Sequence, residues 1–354
     1  MTLETAKDYV LPERVVRLHD EETALAGFIV LHSTRLGPAA GGCRFWSYPS
    51  LELASADALR LARGMSYKNA LAGLPFGGGK AVIDAPTGTY DRSALFRAFG
   101  RAVEALDGLY VTAEDVGTTV EDMAQVSSQT THVAGLAQVP GQPGGDPSPW
   151  TALGVFSAMQ VAVAHRLGTS LDGLTVAVQG LGHVGFALCE RLHEAGARLL
   201  VAEPRSDVAA RAVVAFDAQV MTPAALVGAR ADVFAPCALG GAITARTADA
   251  LQAKVVCGAA NNQLETDMQA RQLADRGILY APDYLVNAGG IINVAAEYSG
   301  WDTAEVDARV GQIADRMREV LDLADTQGTT PVEAADALAA RIIAKAGRRT
   351  VAAA

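Results

Sequence analysis

The stretch Gln179-Gly180-Leu181-Gly182-His183-Val184-Gly185 constrains the fold more than any other part of the chain. Its G-x-G-x-x-G spacing follows a short apolar run, residues 175–179, and opens a helical pattern over 186–194. A second apolar run, 199–202, leads into Glu203, 18 residues beyond the last glycine. In a strand-turn-helix unit such glycines allow a tight turn and close approach of backbone to a pyrophosphate, the helix N-terminus offers free amides, and the later carboxylate accepts from the adenosine ribose hydroxyls. A bland glycine turn would need no carboxylate there, so dinucleotide binding is the expectation. A carboxylate at this place repels a 2′-phosphate, which favours NAD, although nearby Arg205 leaves some room for NADP.

Apolar runs at 232–235, 255–258 and 278–280 continue the alternation with helix-like segments, which specifies a parallel, Rossmann-type doubly wound sheet covered on both faces. A length of 354 residues exceeds one ordinary domain, so a second core is required. The first third supplies it, reading as a separate α/β unit: strand-like runs at 27–31, 81–83 and 109–111, and helical patterns over 54–70 and 94–106. Residues 139–149 hold seven Gly or Pro in eleven positions, a linker or binding loop. The expected division is an α/β substrate-binding and oligomerisation domain over 1–138, a nucleotide domain over 139–328, and a C-terminal helix over 329–354 packing back on the first domain. An amphipathic helix is expected over 304–325, and Thr330-Pro331-Val332-Glu333 opens another with a capping box.

Composition excludes several function classes. Net charge is −10 with no basic run, which argues against nucleic acid, because phosphate binding needs concentrated positive charge. With no uninterrupted apolar stretch of ~18 residues and no basic start followed by an apolar core, neither a membrane span nor a secretory signal is read, and a cytoplasmic location is expected. The four cysteines form no CxxC pair and the six histidines no HExxH, so no metal is expected and the thiols read as buried small residues.

Arginine outnumbers lysine 24 to 5, so the lysines invite inspection: a compact ammonium that can lose its proton is something arginine cannot imitate. Lys68 and Lys80 lie twelve residues apart in a glycine-rich, mostly uncharged neighbourhood. Gly77-Gly78-Gly79-Lys80 is no nucleotide P-loop, since Leu74 and Ala81 stand where glycine and a hydroxyl are needed. Its glycines could bring bare backbone to a small substrate while Lys80 projects into the site; the alternative is a surface turn with a solvated lysine. Glu114 and Asp115 follow a strand-like run, where α/β folds place catalytic groups, or they cap the next helix. Gly41 and Gly42 offer backbone amides that could meet a carboxylate, or form a plain turn.

Together with Leu36-Gly37-Pro38-Ala39-Ala40-Gly41-Gly42, Gly64-Met65-Ser66-Tyr67-Lys68, Asp115-Val116-Gly117-Thr118, the 235–241 and 258–264 segments and Tyr280 through Gly290, these motifs make the chain resemble the amino-acid dehydrogenase family that includes glutamate, leucine, valine and phenylalanine dehydrogenases, nearest the leucine/valine branch. The resemblance implies an NAD-dependent oxidative deamination of an apolar L-amino acid to a 2-oxo acid and ammonia, with no metal, in a homo-oligomer. It implies that Lys68 holds the substrate carboxylate, that Lys80 polarises the carbonyl oxygen and activates water, and that Asp115 exchanges protons at nitrogen. Two ammonium groups sharing a dehydrated cleft would depress each other's pKa below the ~10.4 of free lysine. Asn262 corresponds to a substrate amide, Asn261 to a cofactor-ribose contact and Thr151 to a carboxamide contact. His183, Val184, Ala238 and Asn287 join the three motif glycines, Gly180, Gly182 and Gly185, as cofactor neighbours. Ala40, Met65, Ala113, Ile291 and Val294 border the side-chain pocket, and none is charged. Leucine-preferring relatives tend to carry leucine at position 40, so phenylalanine is the alternative substrate. A 2-hydroxy-acid dehydrogenase would want an arginine for the carboxylate and a histidine base paired with a carboxylate, which the paired lysines fit poorly. A non-catalytic NAD-binding protein would have no need of Lys68, Lys80 and Asp115 together.

Overall fold

The computed structural model describes residues 11–137, 145–238 and 240–346. Among these, one compact unit takes 11–70, 74–137 and 343–346, and the other takes 71–73, 145–238 and 240–342. The expected boundary after residue 138, and most of the Gly/Pro segment, lie outside the described residues.

The first unit is built on a mixed six-stranded sheet: β1 (Arg14–Asp20), β2 (Leu25–Ser33), β3 (Ala39–Ala40), β4 (Cys43–Trp46), β5 (Gly77–Asp84) and β6 (Tyr110–Val111). The strand order is β1-β2-β5-β3-β6, and β4 continues along the β5 edge that β3 begins. β1 to β2 and β2 to β5 are antiparallel, and the remaining pairs are parallel. Alternate side chains of β2 and β5 enter two different cores, as the pleat requires. Ile29, Leu31 and Ile83 meet Leu95, Phe96 and Phe99 of the helix Arg92–Glu104, together with Met123 and Val126 of the helix Val120–Ser127. Val30 and Val82 face Ala54, Ala58 and Ala62, a small-residue stripe on the helix Leu51–Leu71. That stripe lets the helix settle closely on the sheet.

The strand carrying Lys80 is longer than the run expected over 81–83, because its first three residues are glycines with weak strand propensity. Tertiary contact explains them. A Cβ on Gly77 would come 1.9 Å from Ser33 O, and one on Gly78 would come 2.0 Å from Ser66 N. The reading of these glycines as backbone presented to substrate is therefore corrected: Gly77 and Gly78 meet neighbouring backbone instead. Lys80 is not on a surface turn either, being only 4% exposed.

The second unit is the expected doubly wound fold. β7 (Thr175–Gln179), β8 (Arg198–Ala202), β9 (Gln219–Val220), β10 (Val233–Pro236), β11 (Val255–Val256) and β12 (Leu279–Tyr280) form one parallel sheet in the order β12-β11-β10-β7-β8-β9. The chain reverses its direction of travel across the sheet between β7 and β10, which is where such folds open a ligand crevice. β9 is two exposed residues and carries no apolar signal. On one side lie the apolar helix Ser148–Leu167 and its neighbours Gly289–Ser299 and Thr303–Gln327.

The last helix, Pro331–Lys345, begins with the expected capping box: Thr330 N donates to Glu333 Oε2 at 2.9 Å and Glu333 N to Thr330 Oγ1 at 3.2 Å. Its destination differs from expectation. Through Ile342 it groups with the second unit, where Glu333 pairs with Arg271 and Asp336 accepts from the Tyr284 hydroxyl; only residues from Ile343 group with the first. Such partners are distant in sequence and leave no local signal. Among the described residues no helix is long and apolar enough to cross a membrane.

Candidate active site

In the first unit, parallel pairing lays β4 beside β5 and places Asp115 just beyond β6, so that three chain segments converge on one carboxylate. Lys80 Nζ lies 2.9 Å from Asp115 Oδ2, and Arg44 Nε lies 3.1 Å from the same oxygen. Burial lowers the Lys80 pKa against the opposing pull of Asp115, and the Arg44 cation pushes it down further. Burial raises the Asp115 carboxyl, but Lys80 and Arg44 outweigh it and hold it below the usual carboxylate range. A buried lysine with a lowered pKa beside a carboxylate kept ionised is an arrangement that can move protons. A lowering was expected from two neighbouring lysines; its largest cause is burial, and the cation that adds to it is Arg44.

The helix-cap reading of Asp115 fails, because Thr119 and Asp122 form the capping box of the helix that follows. Gly42 allows the approach: a Cβ there would lie 2.3 Å from Glu114 O and 3.0 Å from Asp115 Cβ. Gly41 does not present a free amide, since its N–H donates to Val111 O at 3.1 Å; its role as an anion donor is corrected accordingly. A Cβ on Gly41 would instead meet Gly79 O at 1.9 Å and Met65 Cγ at 3.1 Å. Met65 and Lys68 are half-buried one helical turn apart on Leu51–Leu71, and Ala40 and Ala113 are half-buried on the adjacent β3 edge and on the segment after β6.

Sequence reasoning missed Arg44, Asp57 and Tyr48. Arg44 Nη1 donates to Asp57 Oδ2 at 2.9 Å, and the Tyr48 hydroxyl donates to the same atom at 2.7 Å. Where arginine carries most of the positive charge, one arginine at a strand does not stand out. Its position two residues after the Gly41-Gly42 pair was the available signal.

In the second unit the three motif glycines serve three different needs. Gly180 has φ +95°, and a Cβ on it would lie 2.8 Å from Ala238 Cβ. A Cβ on Gly185 would lie 2.1 Å from Gly180 O, so the third glycine lets the helix His183–Glu194 close on the turn. Gly182 has nothing within 4 Å of its Cβ position, and no side chain caps the helix it begins. Open space before uncapped amides suits a pyrophosphate. Glu203 follows β8 as expected, but its oxygens are already engaged: Leu181 N donates to Oε2 and Arg205 Nε to Oε1, both at 2.7 Å.

Asn287 Nδ2 donates to Asn261 Oδ1 at 2.8 Å, bringing together two residues singled out for the cofactor. Asn262 is exposed and adopts φ +51°. The Thr151 hydroxyl donates to Pro147 O at 3.0 Å and lies 2.8 Å from where a Cβ on Gly290 would be. Ile291 and Val294 are half-buried, a turn apart on Gly289–Ser299. His183 is 85% exposed, with Asp146 3.5 Å away, and Val184 follows it in the first turn of the helix. Burial raises all four thiols, that of Cys237 to about 12; Cys43, Cys189 and Cys257 are buried as expected and Cys237 is half-buried.

Comparison with known proteins gives the family. Residues 12–132 match the family model described as Glu/Leu/Phe/Val dehydrogenase, dimerisation domain, and residues 146–206 and 202–350 match Glutamate/Leucine/Phenylalanine/Valine dehydrogenase. A leucine dehydrogenase of Thermoactinomyces intermedius is 46% identical over 92% of this chain and 89% of its own length. A valine dehydrogenase of Streptomyces coelicolor is 45% identical over 95% and 93%. The crystal structure of L-tryptophan dehydrogenase from Nostoc punctiforme superposes with a TM-score of 0.86 at 41% identity, covering 95% of this chain and 96% of that one. The chain belongs to the glutamate/leucine/phenylalanine/valine dehydrogenase family, and it is an amino-acid dehydrogenase.

Proposed function

We propose that this enzyme catalyses reversible, NAD-dependent oxidative deamination of an apolar L-amino acid of the leucine or valine type, giving the 2-oxo acid and ammonia. The observation that carries the reading is the buried pair of Lys80 and Asp115 at 2.9 Å. With its pKa lowered by burial, Lys80 can take a proton from the attacking water and, as an ammonium, hydrogen-bond the carbinolamine oxygen as it becomes the carbonyl of the 2-oxo acid. Asp115, kept ionised, can take a proton from the substrate nitrogen and give it back as ammonia leaves. Lys68 would bind the α-carboxylate as a point charge.

The residues of the second unit fit NAD: Gly180, Gly182, Gly185, His183 and Val184 around the open helix start, Glu203 and Ala238 beside the turn, and Asn261, Asn287 and Thr151 further along. When bound, NAD supplies the acceptor for the hydride leaving Cα. Asn262 would contact the substrate. None of Ala40, Met65 and Ala113 in the first unit is charged, so a glutamate side chain held there would lose its water without gaining a partner. The single methyl group of Ala40 favours phenylalanine as the second substrate, and the similarity to a tryptophan dehydrogenase points the same way.

A panel of L-amino acids with NAD, read by NADH formation, tests the proposal. Leucine and valine are expected to be turned over, phenylalanine more slowly, and glutamate not at all; no reduction with any of them overturns it. Lys80→Ala should cost at least ~10²–10³ in kcat, as loss of one charge-stabilising donor does. NAD affinity, measured by fluorescence titration, should be nearly unchanged; an unaltered kcat would remove Lys80 from the chemistry.

A further inference from the structure

Asp115 is held more tightly than an ion pair with Lys80 requires. Oδ2 accepts from two cations, Lys80 Nζ at 2.9 Å and Arg44 Nε at 3.1 Å, whereas Oδ1 accepts from no described residue. A second cation on one oxygen repels the first, so charge balance alone gives no reason for it. Rotation does. The terminal torsion of an aspartate is broad and roughly two-fold, so a carboxylate fixed by one flexible ammonium can exchange its oxygens. A planar guanidinium with a second anchor is a stiffer donor.

Arg44 has that anchor in Asp57, which Tyr48 and Arg60 hold at 2.7 Å and 2.8 Å. Asp57 and Arg60 lie on the helix Leu51–Leu71, so the chain Asp57-Arg44-Asp115-Lys80 ties the carboxylate to a packed element. The side chains of Arg44, Asp57 and Asp115 are 19%, 17% and 24% exposed, so they are partly shielded from the solvent that weakens surface pairs.

We propose that Arg44 is a positioning residue for proton transfer: anchored by Asp57, it pins Oδ2 of Asp115 so that Oδ1 alone is presented to the substrate nitrogen. This rests on the deamination reading above. The charged and titratable groups facing the carboxylate are Lys80 on β5, Arg44 and the buried Cys43 thiol on β4, and the Tyr110 phenol on β6; Asp57, Arg60 and Tyr48 stand behind Arg44. The signs follow from this order. Removing the Arg44 charge raises the pKa of both Lys80 and Asp115, and removing the Asp57 charge lowers both.

The test uses the full-length enzyme with L-leucine and NAD, measuring kcat, KM and the pH dependence of kcat for wild type, Arg44→Gln, Arg44→Lys and Asp57→Asn, with thermal melts to establish folding. Arg44→Gln should lose up to about 10²-fold in kcat, the cost of a misplaced reacting group, with KM little changed. Its pH limb should move to higher pH, and that of Asp57→Asn to lower pH. Arg44→Lys keeps the charge but cannot span both carboxylates, so its limb should stay near wild type while kcat remains reduced. A folded Arg44→Gln with wild-type kcat and pH limb overturns the proposal, as do limbs that move the same way in Arg44→Gln and Asp57→Asn. If Arg44→Gln does not fold, an Asp57→Asn with unaltered kcat and limb overturns it instead. Wild type inactive on every amino acid overturns the deamination reading itself, whereas an active wild type with unaltered variants overturns only the role of Arg44.

Discussion

A single carboxylate, Glu203, closes the glycine turn and is the residue proposed to select the cofactor. Its Oε2 takes the Leu181 amide inside the glycine turn and its Oε1 takes Arg205, so it closes the turn from below. The Arg205 hydrogen bond is the largest cause of a pKa lowered to about 2. A group depressed in the folded state stabilises it above the unfolded value, ~4.3 for glutamate, and loses that contribution as pH falls. The loss is complete only below the folded value of about 2. Glu203→Gln should therefore flatten the fall of Tm across this acid window. It should also raise kcat/KM for NADP relative to NAD, since the repelling charge is gone and Arg205 remains. An unchanged cofactor ratio would show that Glu203 acts only on the turn.

Within elements, glycine substitutions separate folding from binding. At Gly180 alanine would combine φ +95° with contact to Ala238, and at Gly185 it would strike Gly180 O at 2.1 Å; both should lower Tm clearly. Gly182 has φ −64° and open space at its Cβ position, so Gly182→Ala should leave Tm almost unchanged. On the proposed NAD reading the added methyl group would take up part of the open space before the uncapped amides, so KM for NAD should rise. A large Tm loss at Gly182 with NAD affinity intact would contradict this division. Gly77 and Gly78 belong to the first kind, and the spacing of three glycines before a lysine could not reveal that. The contacts that decide it come from Ser33 and Ser66, on another strand and on the helix beside it.

At the scale of the whole molecule, two units with separate cores follow from length, but their membership does not. The helix Pro331–Lys345 joins the second unit through Glu333 and Asp336, whose partners Arg271 and Tyr284 lie 62 and 52 residues away. Val15 and Trp46, two apolar side chains of the first unit, are 46% and 56% exposed. We expect a homo-oligomer, with a light-scattering mass that is an integral multiple of the chain's; a monomer at assay concentration would refute it.

The sequence by itself determined what depends on short range: the G-x-G-x-x-G turn and its carboxylate, the βα alternation, the capping box at Thr330, and the two lysines that stand out where arginine is the default cation. Local propensity and spacing carry such features because neighbours in the chain are neighbours in space. Tertiary structure alone decided that Lys80 is buried, that Gly41 gives its amide to Val111, and that Arg44 reaches Asp115 across 71 residues of chain. Burial and cross-strand pairing are set by which strands lie side by side, and the order β1-β2-β5-β3-β6 is written in no single stretch of sequence.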